Sequence, residues 1–574
     1  MPKPKGNAKK KQADRKIKPV EAELPENLHI VPTSEPIPPP ILKSLSEFRS
    51  MQTFFTSLEK LNPEMETSLE SYNRCWLGSE TITNMERSDT DTFSATIHTD
   101  GSVHPIFVKR IHLLEPVSAM EGNYIWQEEG ILPCPSERLR NTLEKINNPY
   151  NEAYVDSIFA MCASKLVEGG YSPGFCKCYG TFSARAEKYL YNISEEISSM
   201  RHKPWWNRNR RLGIFSLYKD ESEQPTTDLF AEGLEDLDAS DFIDVTTDEK
   251  ETPVPIEECA EIENELEQDT PIQLSTPKLR LRRMTRSNSI ESSLPEFQQF
   301  AEFTNFPVQV TLLEKAEGTM DSLIDIENEE EEILATTKDL RWSAWLFQVI
   351  AALMTAQHWY GFVHNDLHTN NVMWSSTEES HLYYRVQKGK TTFYKKIPTF
   401  GKIMKIIDFG RSSYTLPEPG GFFISDAFFP GNDASDQYNC EPFFDDKAGK
   451  KIEPNPSFDL CRLSVSLLES LFPERPDAGT PLKCMSKEDE KVYHETTSSV
   501  YNLLWSWLLD DSGKNVLRNP DGTERYPDFD LYKAIAAEVH HCKPKQQIEK
   551  PIFQQFTCKA GDIPTGTKVY DLYL

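Results

Sequence analysis

The sequence lacks the features of secreted and membrane-spanning proteins. Its 11 cysteines include no C-x-x-C pair, and the spacing of Cys176 and Cys178 is more typical of packing on a strand than of metal ligation. The longest apolar run, 346–354, is too short to span a bilayer. A secretory signal has an apolar stretch after its basic start, and the basic amino terminus of this sequence is not followed by one. We therefore expect an intracellular protein, cytoplasmic and/or nuclear, with reduced thiols and no membrane contact.

The 574-residue chain carries a formal net charge of −28 that is unevenly distributed along it. The negative charge makes nucleic acid an improbable partner. Residues 1–45 are basic and then proline-rich, whereas 219–300 form an acidic run followed by a basic one. Neither segment has enough apolar residues to offset the entropy cost of ordering, so we expect both to be disordered. The acidic insertion would suit a basic partner; the oligomeric state is not predictable.

Periodicity divides the rest of the chain into a strand-rich part and a helix-rich part. Alternating apolar residues predict a hairpin of strands 92–97 and 104–113, and helical spacing predicts a helix from Asn151 to Val167. Further strands are predicted at 175–182 and 308–313, and further helices at 337–360, 458–471, 490–509 and 530–540. These elements indicate an α+β fold.

Two short motifs in the second half indicate the chemistry. His364, Asp366 and Asn371 fit the pattern H-x-D-x-x-x-x-N, and Asp408 begins a D-F-G sequence. Phosphoryl transfer requires one carboxylate that orients a hydroxyl and a few oxygen ligands that hold Mg²⁺ on the phosphates. Asp366 suits the first task. Asn371 and Asp408 suit the second, because Mg²⁺ binds through few protein ligands.

With both motifs in this order, the chain resembles the eukaryotic-type protein kinase superfamily, in divergent form, from about Tyr72 to at least His541. The catalytic loop, with Asp-Leu-His at 366–368, is similar to that of haspin-like kinases and of kinases from large nucleocytoplasmic DNA viruses and protists. The resemblance implies a bilobal fold with an ATP cleft. Residues 46–326 would form a small β-rich N-lobe that contains the disordered insertion, and 327–574 a larger helical C-lobe with a C-terminal extension.

The resemblance also implies nucleotide-binding residues. Lys109, near the end of the second hairpin strand, is similar to the lysine of V-A-I-K that contacts the ATP phosphates. Its expected partner is Glu152, in the first turn of the next helix, with Glu144 and Glu168 as rivals. The backbone of Glu314 and Ala316 would contact adenine.

Asp459, at the start of the apolar helix 458–471, has two possible roles. It would either anchor the catalytic-loop backbone or simply cap its own helix.

The chain departs from the kinase pattern at four places. Ahead of Lys109 there is no G-x-G-x-x-G, and Gly78 is the sole hint of a phosphate-binding loop. Asn365 replaces the arginine of H-R-D, so activation-segment phosphorylation would be dispensable. His368 replaces the usual lysine and could still reach the γ-phosphate, with a charge that depends on pH. No A-P-E sequence follows D-F-G.

Three functions fit these residues. The leading hypothesis is an ATP- and Mg²⁺-dependent kinase of Ser or Thr in proteins. The second is a pseudokinase scaffold with weak or no nucleotide turnover, which the poor glycine loop favours. The third is a small-molecule phosphotransferase, which is considered because fold alone does not fix the substrate. The intact D-F-G argues against it.

Overall fold

The structure is a computed structural model of the chain. It describes residues 23–61, 74–78, 82–97, 101–127, 131–134, 141–194, 196–219, 299–329, 335–476, 478–481 and 494–574. These residues form a mixed α+β structure, as expected from the sequence.

Numbered in chain order, the strands of the described residues fall into one large antiparallel sheet and several small ones. They are β1 Phe48–Gln52, β2 Leu77–Gly78, β3 Ile82–Arg87, β4 Thr92–Ile97, β5 Val103–His112, β6 Cys178–Asn192, β7 Ser216–Lys219, β8 Gln299–Glu314, β9 Gly318–Thr319, β10 Val372–Ser376, β11 His381–Lys388, β12 Thr391–Pro398, β13 Lys402–Ile406, β14 Ser413–Leu416, β15 Gly421–Ile424, β16 Ala478–Pro481, β17 His494–Thr496, β18 Thr557–Cys558 and β19 Val569–Tyr573.

The described helices divide evenly, with seven before the end of β8 and seven after it. They are α1 Pro39–Ser44, α2 Ser57–Leu61, α3 Pro116–Glu121, α4 Asn141–Ile146, α5 Glu152–Glu168, α6 Ile197–Met200, α7 Pro204–Arg211, α8 Met320–Glu329, α9 Ala335–Tyr360, α10 Phe458–Leu471, α11 Ser499–Trp507, α12 Asp530–Glu538, α13 Pro544–Gln547 and α14 Pro551–Gln554.

The large sheet is curled and antiparallel, with the strand order β1-β6-β8-β5-β4-β3. The predicted hairpin is confirmed, since β4 pairs with β5 and Phe93 lies opposite Ile106. On its other side β5 pairs with β8, which places Lys109 opposite Thr311. The predicted strands 175–182 and 308–313 are the ends of the longer β6 and β8. The sheet therefore holds Lys109 on an inner strand whose position is fixed from both sides.

Helix α5, which is 17 residues long, packs against this sheet. The Asn151 side chain accepts a hydrogen bond from the Ala153 N–H and so caps the helix, as a short polar residue does at this position. All of its residues from Ala153 to Ser164 are buried. Ser157 Oγ lies 2.9 Å from Thr311 Oγ1 on β8, which ties the helix to the strand beside Lys109.

The second half is built around α9 and α10, where the predicted helices 337–360 and 458–471 are confirmed. The expected helix 530–540 is shorter, as α12. Within the predicted helix 490–509 the described residues form β17 and α11, and residues 482–493 lie outside the described part. β11 and β12 form a small sheet with β18 and β19 near the end of the chain.

The boundary of the predicted amino-terminal disorder was wrong. Residues 1–22 lie outside the described part, but 23–45 are structured and contribute the buried side chains of Leu28, Ile41 and Leu45 to the core. The Leu28 carbonyl accepts a hydrogen bond from the Tyr360 hydroxyl at the end of α9. Scattered apolar residues among prolines therefore find partners far along the chain, which local composition does not reveal.

The predicted insertion lies almost entirely outside the described residues, since 220–298 are not described. Its first residue, Lys219, ends β7, and its last two, Gln299 and Phe300, begin β8. The division into two lobes, with the boundary near 326, stays a prediction. In the described part of the chain, no helix has both the length and the apolar character needed to cross a membrane.

We predict that Gly180→Ala destabilises the fold strongly. Gly180 lies on β6 opposite Gly78, and a Cβ atom there would overlap the Trp76 ring. Because Trp76 is 1% exposed and cannot move aside, overpacking should cost about 1–3 kcal/mol or more. Gly561→Ala is the control, since a Cβ at Gly561 meets no atom within 4 Å. Urea unfolding should separate the two variants, and equal midpoints would contradict this account of the Trp76 packing.

Candidate active site

Lys109 bridges two carboxylates from different parts of the chain. Its Nζ lies 2.6 Å from Asp156 Oδ1 on α5 and 2.9 Å from Asp408 Oδ1 in the D-F-G sequence. Burial opposes the charged ammonium, but the two carboxylates outweigh it and raise the pKa of Lys109. One cation between two anions leaves this point with a net negative charge, which favours an additional cation.

The expected Lys109–Glu152 pair is not formed, and that prediction was wrong. Glu152 Oε1 instead lies 3.3 Å from His112 Nε2. Burial opposes ionisation of Glu152, but the hydrogen bond and charge of His112 lower its pKa to about 2. Asp156 lies four residues further, one turn along the same helix face, so the helical period was the signal that would have identified it.

Asp156 also fixes the D-F-G backbone. Its Oδ1 accepts a hydrogen bond of 2.7 Å from the Phe409 N–H as well as one from Lys109. The Phe409 ring packs against Phe159 of the same helix, with centroids 4.9 Å apart, and against His364, with centroids 6.0 Å apart. Helix α5, the D-F-G sequence and the catalytic-loop motif therefore meet around one carboxylate and one ring.

Asp459, at the start of α10, holds the backbone of the catalytic loop. Its two carboxylate oxygens accept hydrogen bonds of 3.0 Å from the backbone N–H groups of His364 and Asn365. The anchoring role, one of the two considered for Asp459, is confirmed. Burial raises the pKa of Asp459 to about 6, against the effect of His364 and the two N–H groups.

Asn365 connects this loop to the segment after D-F-G through neutral hydrogen bonds. Its Nδ2 donates to the Arg411 carbonyl at 3.0 Å, and its Oδ1 accepts from the Tyr438 hydroxyl at 2.7 Å. The side chain is fully buried. An amide at this position therefore makes a contact that requires no charged partner.

Asn371 and Asp408 are placed so that each keeps an oxygen for a metal ion. Asn371 Nδ2 donates to the Asp366 carbonyl at 2.9 Å, which leaves its Oδ1 as an acceptor. The Lys109 charge lowers the pKa of Asp408 to about 2, so Asp408 is ionised at neutral pH. Within the described residues, no group of three or more His, Cys, Asp and Glu could hold a metal ion unaided. The donors thus fit Mg²⁺ that takes its other ligands from phosphates and water.

Asp366 has a hydrogen-bond partner that the sequence did not suggest. The Tyr532 hydroxyl lies 3.0 Å from Asp366 Oδ1, and Arg462 Nε lies 2.8 Å from the same hydroxyl. Asp366 also lines a cavity of about 930 Å³ together with Asp408 and Arg411. No sequence signal would have linked Tyr532 to Asp366 across 166 positions.

His368 is half-buried next to Asp366. Burial lowers the pKa of His368, and the Asp366 charge opposes this without reversing it. The imidazole is therefore neutral at pH 7, so it differs in charge from the lysine that it replaces.

Gly78 does not lie where a phosphate-binding loop is expected, and that prediction was wrong. It pairs with Gly180 on β6, on the far side of the sheet from β4. The turn beside Lys109 is instead 88–91, which joins β3 to β4, and the Val108 N–H donates to the Asp91 carbonyl at 2.8 Å. The turn contains no glycine, and the Asp91 carboxylate is paired with Arg110.

Glu314 and Ala316 follow β8 at the edge of the site. The Glu314 N–H donates to the Lys177 carbonyl at 2.8 Å, so it is not available for the expected adenine contact. The Glu314 carboxylate is occupied by Lys405 Nζ, at 3.1 Å, and by the Lys177 N–H, at 3.0 Å. Ala316 is 9% exposed, and among the described residues its backbone N–H and carbonyl form no hydrogen bond with other backbone groups. Ala316 therefore offers the free backbone groups expected of an adenine contact.

Asp426, in the segment after D-F-G, fastens that segment to the start of α5. Its carboxylate lies 2.7 Å from Lys145 Nζ and 2.9 Å from Asn148 Nδ2, and it accepts a 3.2 Å hydrogen bond from the Glu152 N–H. A carboxylate at a helix N-terminus is favourable because the free N–H groups carry partial positive charge. The side chain of Asp426 is 1% exposed and that of Lys145 is 21% exposed, so the carboxylate is shielded from solvent and the ammonium is partly shielded.

Comparisons with known proteins identify no family for this chain. No protein-family model matches it, and no curated protein matches it either. Among solved structures, one match is a ROP18 kinase domain in complex with AMP-PNP and sucrose, at 10% sequence identity and a TM-score of 0.26, covering 85% of this chain and 82% of that chain. Function must therefore be argued from the residues of the site.

We predict that Asp426→Ala lowers the free energy of unfolding by about 1.5–3 kcal/mol, because it removes a buried carboxylate that holds Lys145, Asn148 and the Glu152 N–H. The matched control is Glu549→Ala, which removes a 2.7 Å ion pair with Lys388 whose two side chains are 54% and 42% exposed. An exposed pair of this kind contributes at most about 1 kcal/mol. Chemical denaturation measures both, and a loss below 1 kcal/mol for Asp426→Ala would refute the buried connection.

Proposed function

We propose that this chain is an ATP- and Mg²⁺-dependent protein kinase that transfers the γ-phosphate to Ser or Thr hydroxyls of proteins. One observation carries the proposal: Lys109 contacts both Asp156 and the D-F-G aspartate Asp408. The geometry of the adjoining loop, where Asp459 fixes the backbone that precedes Asp366, supports it as well.

The nucleotide would bind between the main sheet and the catalytic loop. Lys109 would contact the phosphates, with Asp156 holding the ammonium in place. The Ala316 N–H would donate a hydrogen bond to adenine, and the Ala316 carbonyl would accept one from it. Asn371 Oδ1 and Asp408 would hold Mg²⁺, which neutralises phosphate charge when bound.

Asp366 would orient the acceptor hydroxyl and take up its proton. Loop side chains contact its backbone, and Tyr532 of α12 contacts its carboxylate. Positioning of this kind supplies much of the rate enhancement in phosphoryl transfer. The neutral His368 would donate a hydrogen bond to phosphate without adding charge. Ser and Thr are proposed over Tyr because of the general preference of the family that the chain resembles.

A nucleotide-binding scaffold without turnover is the second candidate. The observation that favours it is the 88–91 turn, which lies beside Lys109 and carries two aspartates in place of glycines. Asp91 is paired with Arg110, but the Asp89 carboxylate would repel a phosphate group close to it, and side chains hinder the close approach of backbone N–H groups. Both effects would weaken nucleotide binding or misplace the γ-phosphate.

We predict that Asp366→Asn abolishes transfer of labelled γ-phosphate from Mg·ATP to a mixed Ser/Thr/Tyr peptide library and to the protein itself. The loss should be at least about 10³-fold, because the amide can neither accept the proton nor orient the hydroxyl as an anion does. Nucleotide affinity, measured by calorimetry, should stay within about threefold.

The control and the acceptor identity decide between the candidates. Wild-type label on Ser or Thr that disappears in Asp366→Asn supports the kinase. Equal label in both proteins would refute the role of Asp366. A wild type that binds Mg·ATP, with a raised melting temperature, but labels no acceptor would favour the scaffold.

A further inference from the structure

The Asp366 carboxylate receives a hydrogen bond from a distant part of the chain. Tyr532 lies near the start of α12, is 8% exposed, and places its hydroxyl 3.0 Å from Asp366 Oδ1. Among the described residues, no hydrogen bond is formed to the other oxygen, Oδ2. One oxygen of the carboxylate is thus occupied from the protein side.

Arg462 supports Tyr532 from α10. Its Nε lies 2.8 Å from the Tyr532 hydroxyl, and its guanidinium carbon lies 5.0 Å from the centre of the Tyr532 ring. Arg462 is 7% exposed, so water competes little for its hydrogen bond to Tyr532. Asp459, three residues earlier on the same helix, anchors the backbone just before Asp366. Helix α10 therefore supports the catalytic loop at two levels.

The direction of the hydrogen bonds is fixed by the chemistry of the three groups. A guanidinium can only donate, and an ionised carboxylate can only accept. The phenol must therefore accept from Arg462 Nε and donate its own proton to Asp366. Burial, and next the Asp366 charge, raise the pKa of Tyr532 to about 12, so the phenol keeps this proton at neutral pH.

We propose that Tyr532, backed by Arg462, is a positioning residue that holds the Asp366 carboxylate with Oδ2 directed to the acceptor hydroxyl. The proposal rests on the proposed function, since it assigns Asp366 the role of orienting that hydroxyl. A carboxylate on a single-bonded stem rotates, and a donor on one oxygen restricts that rotation. The arrangement stabilises the carboxylate in the geometry that transfer requires.

The test compares Tyr532→Phe with the matched control Tyr526→Phe. Both variants remove one phenolic hydroxyl from the same region, but the Tyr526 hydroxyl lies 3.0 Å from Glu538, away from Asp366. For Tyr532→Phe, kcat should fall about tenfold or more, as expected for a hydrogen bond to a charged group, while KM for Mg·ATP changes less than about twofold. Tyr526→Phe should leave both parameters unchanged.

Two kinetic outcomes would overturn the proposal. An unchanged kcat in Tyr532→Phe would show that the hydroxyl does not act on Asp366 during transfer. An increased kcat would show that Tyr532 occupies the place of the acceptor hydroxyl and hinders the reaction. A loss of folding would also lower the apparent kcat at unchanged KM, so kcat is referred to the folded fraction, which the melting curve of each variant measures.

A stability cycle keeps the proposal testable if the wild type transfers no phosphate at all. Tyr532→Phe, Asp366→Ala and the double variant are unfolded in urea, and the coupling between the two sites is calculated. Tyr532→Phe removes the hydroxyl that accepts from Arg462 in both backgrounds, so the folding equilibrium constant should fall in both, but about tenfold more in the wild type than in the Asp366→Ala background. Equal effects in both backgrounds would refute the contact, whereas coupling without phosphate transfer would refute only the kinase function.

Discussion

The site depends on one ammonium group that three parts of the chain share. Lys109 is held on an inner strand, Asp156 on the helix behind the sheet, and Asp408 on the segment that follows β13. Removing Lys109 would leave two neighbouring carboxylates without a cation, and this is costly because the Asp156 side chain is only 1% exposed. The sheet, α5 and the D-F-G sequence must therefore take up their relative positions together.

Two side chains, one amide and one carboxylate, hold the segment that follows D-F-G. The Asn365 amide links the catalytic loop to the Arg411 carbonyl, and the Asp426 carboxylate links the segment to the start of α5. Both side chains are buried and both are encoded directly in the sequence. The segment is thus connected to the catalytic loop by Asn365 and to α5 by Asp426.

Features that depend on short-range patterns were predictable from the sequence. The 92–97 hairpin strand, helix α5 and the apolar helix α10 each follow from local periodicity. The anchoring by Asp459 was also one of the two roles considered for this residue, from its position at the start of the apolar helix.

Features that depend on tertiary distance were not predictable in the same way. Asp156 was missed because Glu was expected one turn earlier, although both residues share a helix face. Gly78 was misplaced because its neighbours in sequence do not show which strand it pairs with. The contact of Tyr532 with Asp366, and the packing of 23–45 against α9, join residues far apart in the chain, so nothing local could reveal them.

The most direct test of this account is the affinity for a Mg·ATP analogue, measured by calorimetry, in Asp156→Asn and Glu152→Gln. If Asp156 holds Lys109, Asp156→Asn should weaken binding about tenfold or more, because the ammonium loses its 2.6 Å partner. Glu152→Gln should change it less than about threefold. Weakened nucleotide binding in Glu152→Gln, together with unchanged binding in Asp156→Asn, would contradict the arrangement around Lys109.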